Sequence, residues 1–197
     1  MNQEDKPDIL LPIGFPEIML GGNTMKKKIL VAYASADGST GGVAETISKA
    51  LVDTNTMVDL HRVQSAINIE KYDAVVLGSA IHGGKWLPEA TEFLKNNKDQ
   101  LSKIPTAFFL VGLMVNKKSL DDIKLVDQYL ANERMLVKPV AEGHFVGALF
   151  PSKYSGITGF GMHFFIAYCG LGLRGGDFRN PDVIRAWAED IHPLLIK

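Results

Sequence analysis

The chain has 197 residues, of which 46% are hydrophobic and 22% charged. This composition excludes a disordered or collagen-like chain, and the length suits one domain that buries roughly 70% of its unfolded surface without a disulfide or metal staple. With 21 Lys and Arg against 22 Asp and Glu, five scattered histidines and a single cysteine, nothing points to a nucleic-acid partner, a polyanion mimic, a zinc cluster or an internal disulfide.

Residues 1–24 stand apart from the rest. Glu4, Asp5 and Asp8 outweigh Lys6, the reverse of a secretory leader, and Pro12, Gly14 and Pro16 break the apolar run of residues 9–22. This reads as an N-terminal extension, an extended arm lying on the domain or on a partner. The folded domain is then 25–197, and Met25-Lys26-Lys27-Lys28 looks like a natural chain start. Without a leader pattern, and with a lone thiol, the expected location is the cytoplasm.

Short apolar runs then alternate with helical periods. Ile29 to Tyr33, Met57 to Leu60, Ala74 to Leu77 and Ala107 to Val111 read as strands, most of them covered on both faces. A fifth lies within Ala141 to Leu149, around His144-Phe145-Val146. Helical stripes run through Val43, Ile47, Ala50 and Leu51. Another follows Pro88 through Ala90, Phe93, Leu94 and Leu101, and a third takes Leu120, Ile123, Val126 and Leu130. The last helix is the best signalled. Asn180 caps it, Pro181 and Asp182 open it, and Val183, Ile184, Trp187, Ile191 and Leu194 are expected to face inward. Strands alternating with helices imply a parallel sheet with helices on both faces, and ligands bind beyond the carboxyl ends of its strands.

The loop after the first strand is Ser35-Ala36-Asp37-Gly38-Ser39-Thr40, followed by Gly41-Gly42. It offers hydroxyls, a flexible glycine and the free N–H groups of a helix start, which together suit a terminal phosphate. No Lys or Arg lies between Tyr33 and Ile47, so hydrogen bonds alone would hold it. The P-loop lysine and the Gly-x-Gly-x-x-Gly fingerprint are both missing. An ordinary Ser/Thr-capped helix start is the competing reading.

The same loop resembles the flavodoxin phosphate pattern, Thr/Ser-x-Thr-Gly-x-Thr, with Asp37 in place of the central hydroxyl. The stretch from Tyr72 to Pro88 and the run Gly176-Asp177-Phe178-Arg179-Asn180 resemble the branch of flavodoxin-domain proteins that includes the menaquinone-dependent protoporphyrinogen oxidases. The resemblance implies a flavodoxin-like three-layer α/β sandwich, a five-stranded parallel sheet in the order 2-1-3-4-5, and FMN at the switch point. Residues 35–40 would hold its phosphate. Ala80, Ile81, His82, Gly83 and Gly84 would flank the ring on one side, and Gly112, Leu113 and Met114 on the other. Gly83-Gly84 removes two β-carbons where a flat ring approaches the backbone, a plain turn being the alternative. His82 is a weak catalytic candidate and more often such a histidine faces solvent. Trp86 suits packing better than stacking. No other acid or base stands out, and no metal is expected.

An apolar insert occupies about 149–179, longer than a compact α/β unit needs. Its 156–173 stretch carries Phe160, Phe164 and Tyr168 at helical spacing, with Cys169 as a buried thiol. It suits a helix on the sheet edge, a subunit interface such as a homodimer's, or an apolar platform for a quinone, a porphyrinogen or a membrane surface. Electron-carrier flavodoxins are usually strongly acidic, so a net charge of −1 favours an FMN-dependent oxidoreductase passing electrons between an organic substrate and a quinone or other acceptor. An electron carrier and a flavin-free module are the alternatives.

Overall fold

The computed structural model describes residues 26–65, 67–113, 124, 126–149 and 176–197. The N-terminal extension lies outside the described residues, as do Met114, Leu120, Ile123, Cys169 and the 156–173 stretch. In chain order the elements are β1 (Lys27–Ala34), α1 (Ser39–Leu51), β2 (Thr56–Arg62), β3 (Ala74–His82), β4 (Lys85–Trp86), α2 (Pro88–Asn96) and α3 (Lys98–Leu101). There follow β5 (Thr106–Val111), α4 (Ala131–Leu136), β6 (Glu142–Phe145), β7 (Ala148–Leu149), β8 (Gly176–Asp177) and α5 (Pro181–Leu195).

The main sheet runs β2-β1-β3-β5-β6, every neighbouring pair parallel. Counted over the parallel strands alone, this is the expected order 2-1-3-4-5. The short β4 adds a sixth strand, antiparallel to β3. β7 and β8 form a separate two-stranded antiparallel ribbon.

Both faces of the sheet are covered, which is why its central strands β1, β3 and β5 read as nearly continuous apolar runs, while the edge strands β2 and β6 do not. Leu30, Ala32, Leu77, Phe108 and Leu110 point to the side of α2 and α3, together with Leu130. Ile29, Val31, Val76, Phe109 and Val111 point to the side of α1 and α5. Each large side chain so buried contributes about 1.5–3 kcal/mol. Gly78 of β3 stands opposite Phe109, and a β-carbon there would lie 2.0 Å from the Phe109 ring, so the glycine makes room for that ring.

The structure differs from the sequence reading at four points. β3 continues through Ala80, Ile81 and His82, which the motif alone placed in a loop, because they pair onward into the β4 hairpin. The helix expected from Pro88 to Leu101 is split at Asn97, whose backbone leaves the helical region at φ −113°. β6 stops at Phe145, and Val146 and Gly147 lead into β7. In α5 the buried stripe is Ile184, Ala188, Ile191 and Leu195, while Val183 is exposed. Val183 sits one residue, about 100°, off that stripe. The Asn180 cap is as expected: its side chain accepts from the amides of Asp182 and Val183.

Candidate functional site

The carboxyl ends of β1, β3 and β5 are adjacent, and the segments named from sequence leave the sheet there. The chain turns to opposite sides of β1 on going to β2 and to β3, so the switch point lies between β1 and β3. The loop of residues 35–38 emerges at that point.

Its conformation is set by two groups. Gly38 is the N-cap of α1 at φ 94°, a left-handed position that favours glycine. The Ser35 hydroxyl accepts the Gly38 amide at 2.9 Å and so closes the loop on itself. The Gly41 amide donates back to the Gly38 carbonyl at 3.1 Å. Gly38 has no side chain to cap the helix, so the positive end of the α1 dipole is left to another acceptor. Asp37 and Ala36 are exposed, and Ser35 is buried. Thr40 is fully buried, and its Oγ1 has no hydrogen-bond partner. Such an orphan costs about 1–3 kcal/mol. It lies in the first turn of the uncapped helix, where an anion's oxygen would accept a hydrogen bond from it.

At the end of β3, His82 and Lys85 are paired residues flanking a two-residue turn. Gly83 and Gly84 have φ 58° and 77°, the signature of a type I′ hairpin. The turn by itself accounts for both glycines. His82, Gly83 and Lys85 are exposed, and Ala80, Ile81 and Gly84 half-buried. Trp86 is buried with its ring edge-on to Phe108 at 5.2 Å, which is a packing role. Its Nε1 also lacks a partner. The Ser79 hydroxyl accepts the Leu87 amide at 2.9 Å and ties the far side of the hairpin to β3. At the end of β5, the Gly112 amide donates to the Phe145 carbonyl at 3.0 Å, and Gly112 and Leu113 are half-buried.

A cavity of about 950 Å³ lies between the hairpin, α2 and α4. Gly83, Gly84, Trp86, Tyr129 and Met135 line it, together with the buried Glu133, whose carboxylate accepts from the Thr91 hydroxyl at 2.9 Å. It shares the two glycines with the hairpin turn and none of residues 35–40.

Residues 30–165 match a family model described as Flavodoxin domain. The chain belongs to that family. It is 30% identical over 93 residues to the protoporphyrinogen IX dehydrogenase (quinone) of Escherichia coli (strain K12), covering 46% of this chain and 51% of that protein. It is 28% identical over 134 residues to the enzyme of the same name from Leishmania major, 65% of this chain and 57% of the other. The match thus spans little more than half the length of these relatives. Among solved structures, a flavodoxin from the domain Archaea superposes at TM-score 0.50 with 15% identity, over 86% of this chain and 99% of its own. An oxidoreductase from Corynebacterium diphtheriae does so at 0.51 with 13% identity, over 87% and 97%. These two share the fold.

In this flavodoxin domain the tandem Gly41-Gly42, which nothing local explains, is where distant residues arrive. The Tyr33 ring packs on Gly41, 3.2 Å from where a β-carbon would be, and the Arg62 guanidinium stacks 5.8 Å from the centre of that ring. The Arg179 guanidinium covers Gly42 so closely that its Nη1 would lie 1.8 Å from a β-carbon there. Arg179 in turn forks onto Asp177, which raises the guanidinium's pKa and holds the carboxyl below the usual carboxylate range. Sequence reading noticed the Gly176–Asn180 run but gave Arg179 no task. The two adjacent glycines were the available signal. Among the described residues, no helix is long and apolar enough to cross a membrane, and no group of His, Cys, Asp and Glu could hold a metal ion.

Proposed function

We propose that this chain is an FMN-dependent oxidoreductase that passes electrons between an organic donor and a quinone-type acceptor. One observation carries the flavin: a fully buried Thr40 hydroxyl without a partner, in the first turn of a helix that no side chain caps. A phosphate dianion satisfies both, since it accepts from the hydroxyl and from the uncapped amides. A flavin-free module has no use for a buried orphan of this cost.

In this reading Ser35, Gly38, Ser39 and Thr40 hold the phosphate, and the exposed Asp37 and Ala36 contribute backbone amides. The Ala80–Gly84 segment flanks the ring on one side and Gly112 to Met114 on the other. When bound, the flavin supplies the redox chemistry. The protein's part is to hold the mononucleotide, to offer backbone donors and acceptors at the ring edge, and to keep water from one face. His82, exposed on the hairpin, faces solvent and is given no substrate-gripping role.

Two things favour an organic substrate over a protein partner. The net charge of −1 provides no strong field for steering. The cavity beside Gly83-Gly84 sets Trp86, Tyr129 and Met135 among Lys85, Glu92, Lys95 and Glu133, a mixed lining that suits an organic molecule carrying polar groups. The names of the two relatives make a porphyrinogen donor and a quinone acceptor the pair to try first.

The test is titration of the purified protein with FMN, followed by quenching of flavin fluorescence. Saturable uptake of one equivalent is expected. A colourless protein that takes up no FMN refutes the reading. The substrate half is tested by turnover of protoporphyrinogen IX with a menaquinone analogue. An FMN-loaded protein that turns over neither, yet exchanges electrons with a redox protein, is a carrier.

A further inference from the structure

The phosphate cradle has a wall that comes from the other end of the chain. The residues at the base of the β7–β8 ribbon meet the start of α1 at two points, through Gly147 and Arg179. The Phe178 amide donates to the Gly147 carbonyl at 3.3 Å, joining the two sides of the ribbon's base. Gly147 is so close to α1 that its β-carbon would stand 3.2 Å from Ser39 Oγ. Arg179 then covers Gly42. Its side chain is held at both ends. Nε donates to Asp177 Oδ1 at 2.8 Å, Nη2 engages Oδ2, and its own amide donates to Oδ1 at 3.1 Å. Nη1 is the end left to press on Gly42.

The helix needs that pressure. Gly41 and Gly42 each cost a helix about 1 kcal/mol relative to Ala, so the turn whose amides must be aimed at an anion is weak on its own. Gly42 stands four residues past the N-cap, about 6 Å along the axis, close enough to set the direction of the first turn. We propose that Arg179, braced by Asp177, is a positioning residue. It wedges on Gly42, holds the first turn of α1 in the orientation that receives a phosphate, and so gives the site its preference for a phosphorylated flavin over the bare one. This rests on the FMN reading above. The Asp177 carboxylate neutralises the guanidinium, so the wedge acts through shape and not through a free positive charge.

That commitment has a sign. If Arg179 served as a charge, Asp177→Asn would unmask it and tighten FMN. If Arg179 is a wedge, the same change frees it from its brace and weakens FMN. The experiment measures FMN and riboflavin dissociation constants for the wild type, Arg179→Ala, Asp177→Asn and Gly42→Ala, with unfolding midpoints as a check on folding. It adds the thermal shift given by inorganic phosphate alone. We expect FMN to weaken about tenfold in Arg179→Ala and several-fold in Asp177→Asn, with riboflavin changing less than twofold in each. Gly42→Ala pushes Arg179 away while changing one methyl group, and should do the same, so it decides the matter if Arg179→Ala does not fold. An unchanged FMN-to-riboflavin ratio in Arg179→Ala and Gly42→Ala, or tighter FMN in Asp177→Asn, overturns the proposal. Should the wild type take up no FMN, the flavin reading fails separately. A phosphate-induced shift lost in Arg179→Ala then still supports the wedge, and no shift in the wild type overturns it.

Discussion

Two buried polar side-chain atoms among the described residues lack a partner, and they belong to different regions: Thr40 stands in the first turn of α1, while Trp86 packs in the core on the α2 side of the sheet. Thr40 Oγ1 belongs to the phosphate end and Trp86 Nε1 to the hairpin end. The surroundings differ in kind. Around Thr40, a left-handed glycine, an uncapped helix and two glycines closed by distant side chains all serve one small volume. Around Trp86, the glycines are spent on a hairpin turn, the ring is clamped on Phe108, and a wide cavity opens alongside. One region is the proposed seat of a compact anion. The other is a wall with room beside it.

Replacing Thr40 by Val probes this contrast most strongly. The methyl keeps the shape and removes the orphan, so the free protein should be as stable as the wild type or more so by up to about 1 kcal/mol. FMN binding should nevertheless fall about 10- to 100-fold, because the phosphate loses a donor from a desolvated site. Urea midpoints and a fluorescence titration give the two numbers. Affinity unchanged by the substitution would mean that the two orphans are alike after all.

Next in size is Gly84→Val. At φ 77° a β-branched residue is strained, and its β-carbon would meet Tyr129 Cε1 at 3.1 Å. A loss of about 1–2 kcal/mol is expected, visible as a fall of roughly 3–6 °C in the melting midpoint. The stabilisation given by inorganic phosphate should not change. If it disappears as well, the hairpin and the cradle are a single unit and the comparison breaks.

The loop proposed to hold a phosphate could be named from sequence because its parts are local. Ser35, Gly38, Ser39 and Thr40 are one short loop, and their spacing carries the geometry. A parallel sheet covered on both faces was legible for a related reason, since runs such as Ile29 to Tyr33 and Ala107 to Val111 are continuously apolar, while the strand order came only from the resemblance to flavodoxins. What escaped was made by pairing between distant segments. Nothing near Ala80 says that β3 runs on to His82, because that depends on Lys85-Trp86 folding back. Nothing near Gly42 names Arg179, which is 137 positions away. Val183 was misplaced because it and Ile184 are adjacent apolar residues, and only packing against the sheet decides which one faces inward.

Trp86→Phe should have a smaller effect. The ring on Phe108 is kept and the unpaired N–H is removed, so the gain from losing the orphan offsets the smaller buried area. Stability should stay within about 1 kcal/mol, and FMN affinity should not move. A tenfold loss in KM for an organic substrate, with FMN binding intact, would instead give the second orphan a ligand of its own in the adjoining cavity.

The smallest expected effect separates the two ends by pH. A phosphate monoester takes up its second proton near pH 6, so FMN should bind more weakly as pH drops through that region while riboflavin does not. The protein adds a slope of its own. His144 on β6 has its pKa lowered, chiefly by burial and against the pull of Glu142. The unfolded chain, titrating near 6.5, therefore binds the proton first, and stability falls as pH drops below that value towards the folded pKa. The ring is 35% exposed, so the slope should be shallow. His144→Gln should flatten the change in urea midpoint between pH 7.5 and pH 5.5 and leave the pH dependence of FMN binding in place. If the substitution removes both, the decline in FMN affinity belongs to the fold and not to the phosphate, and the cradle loses its claim to a dianion.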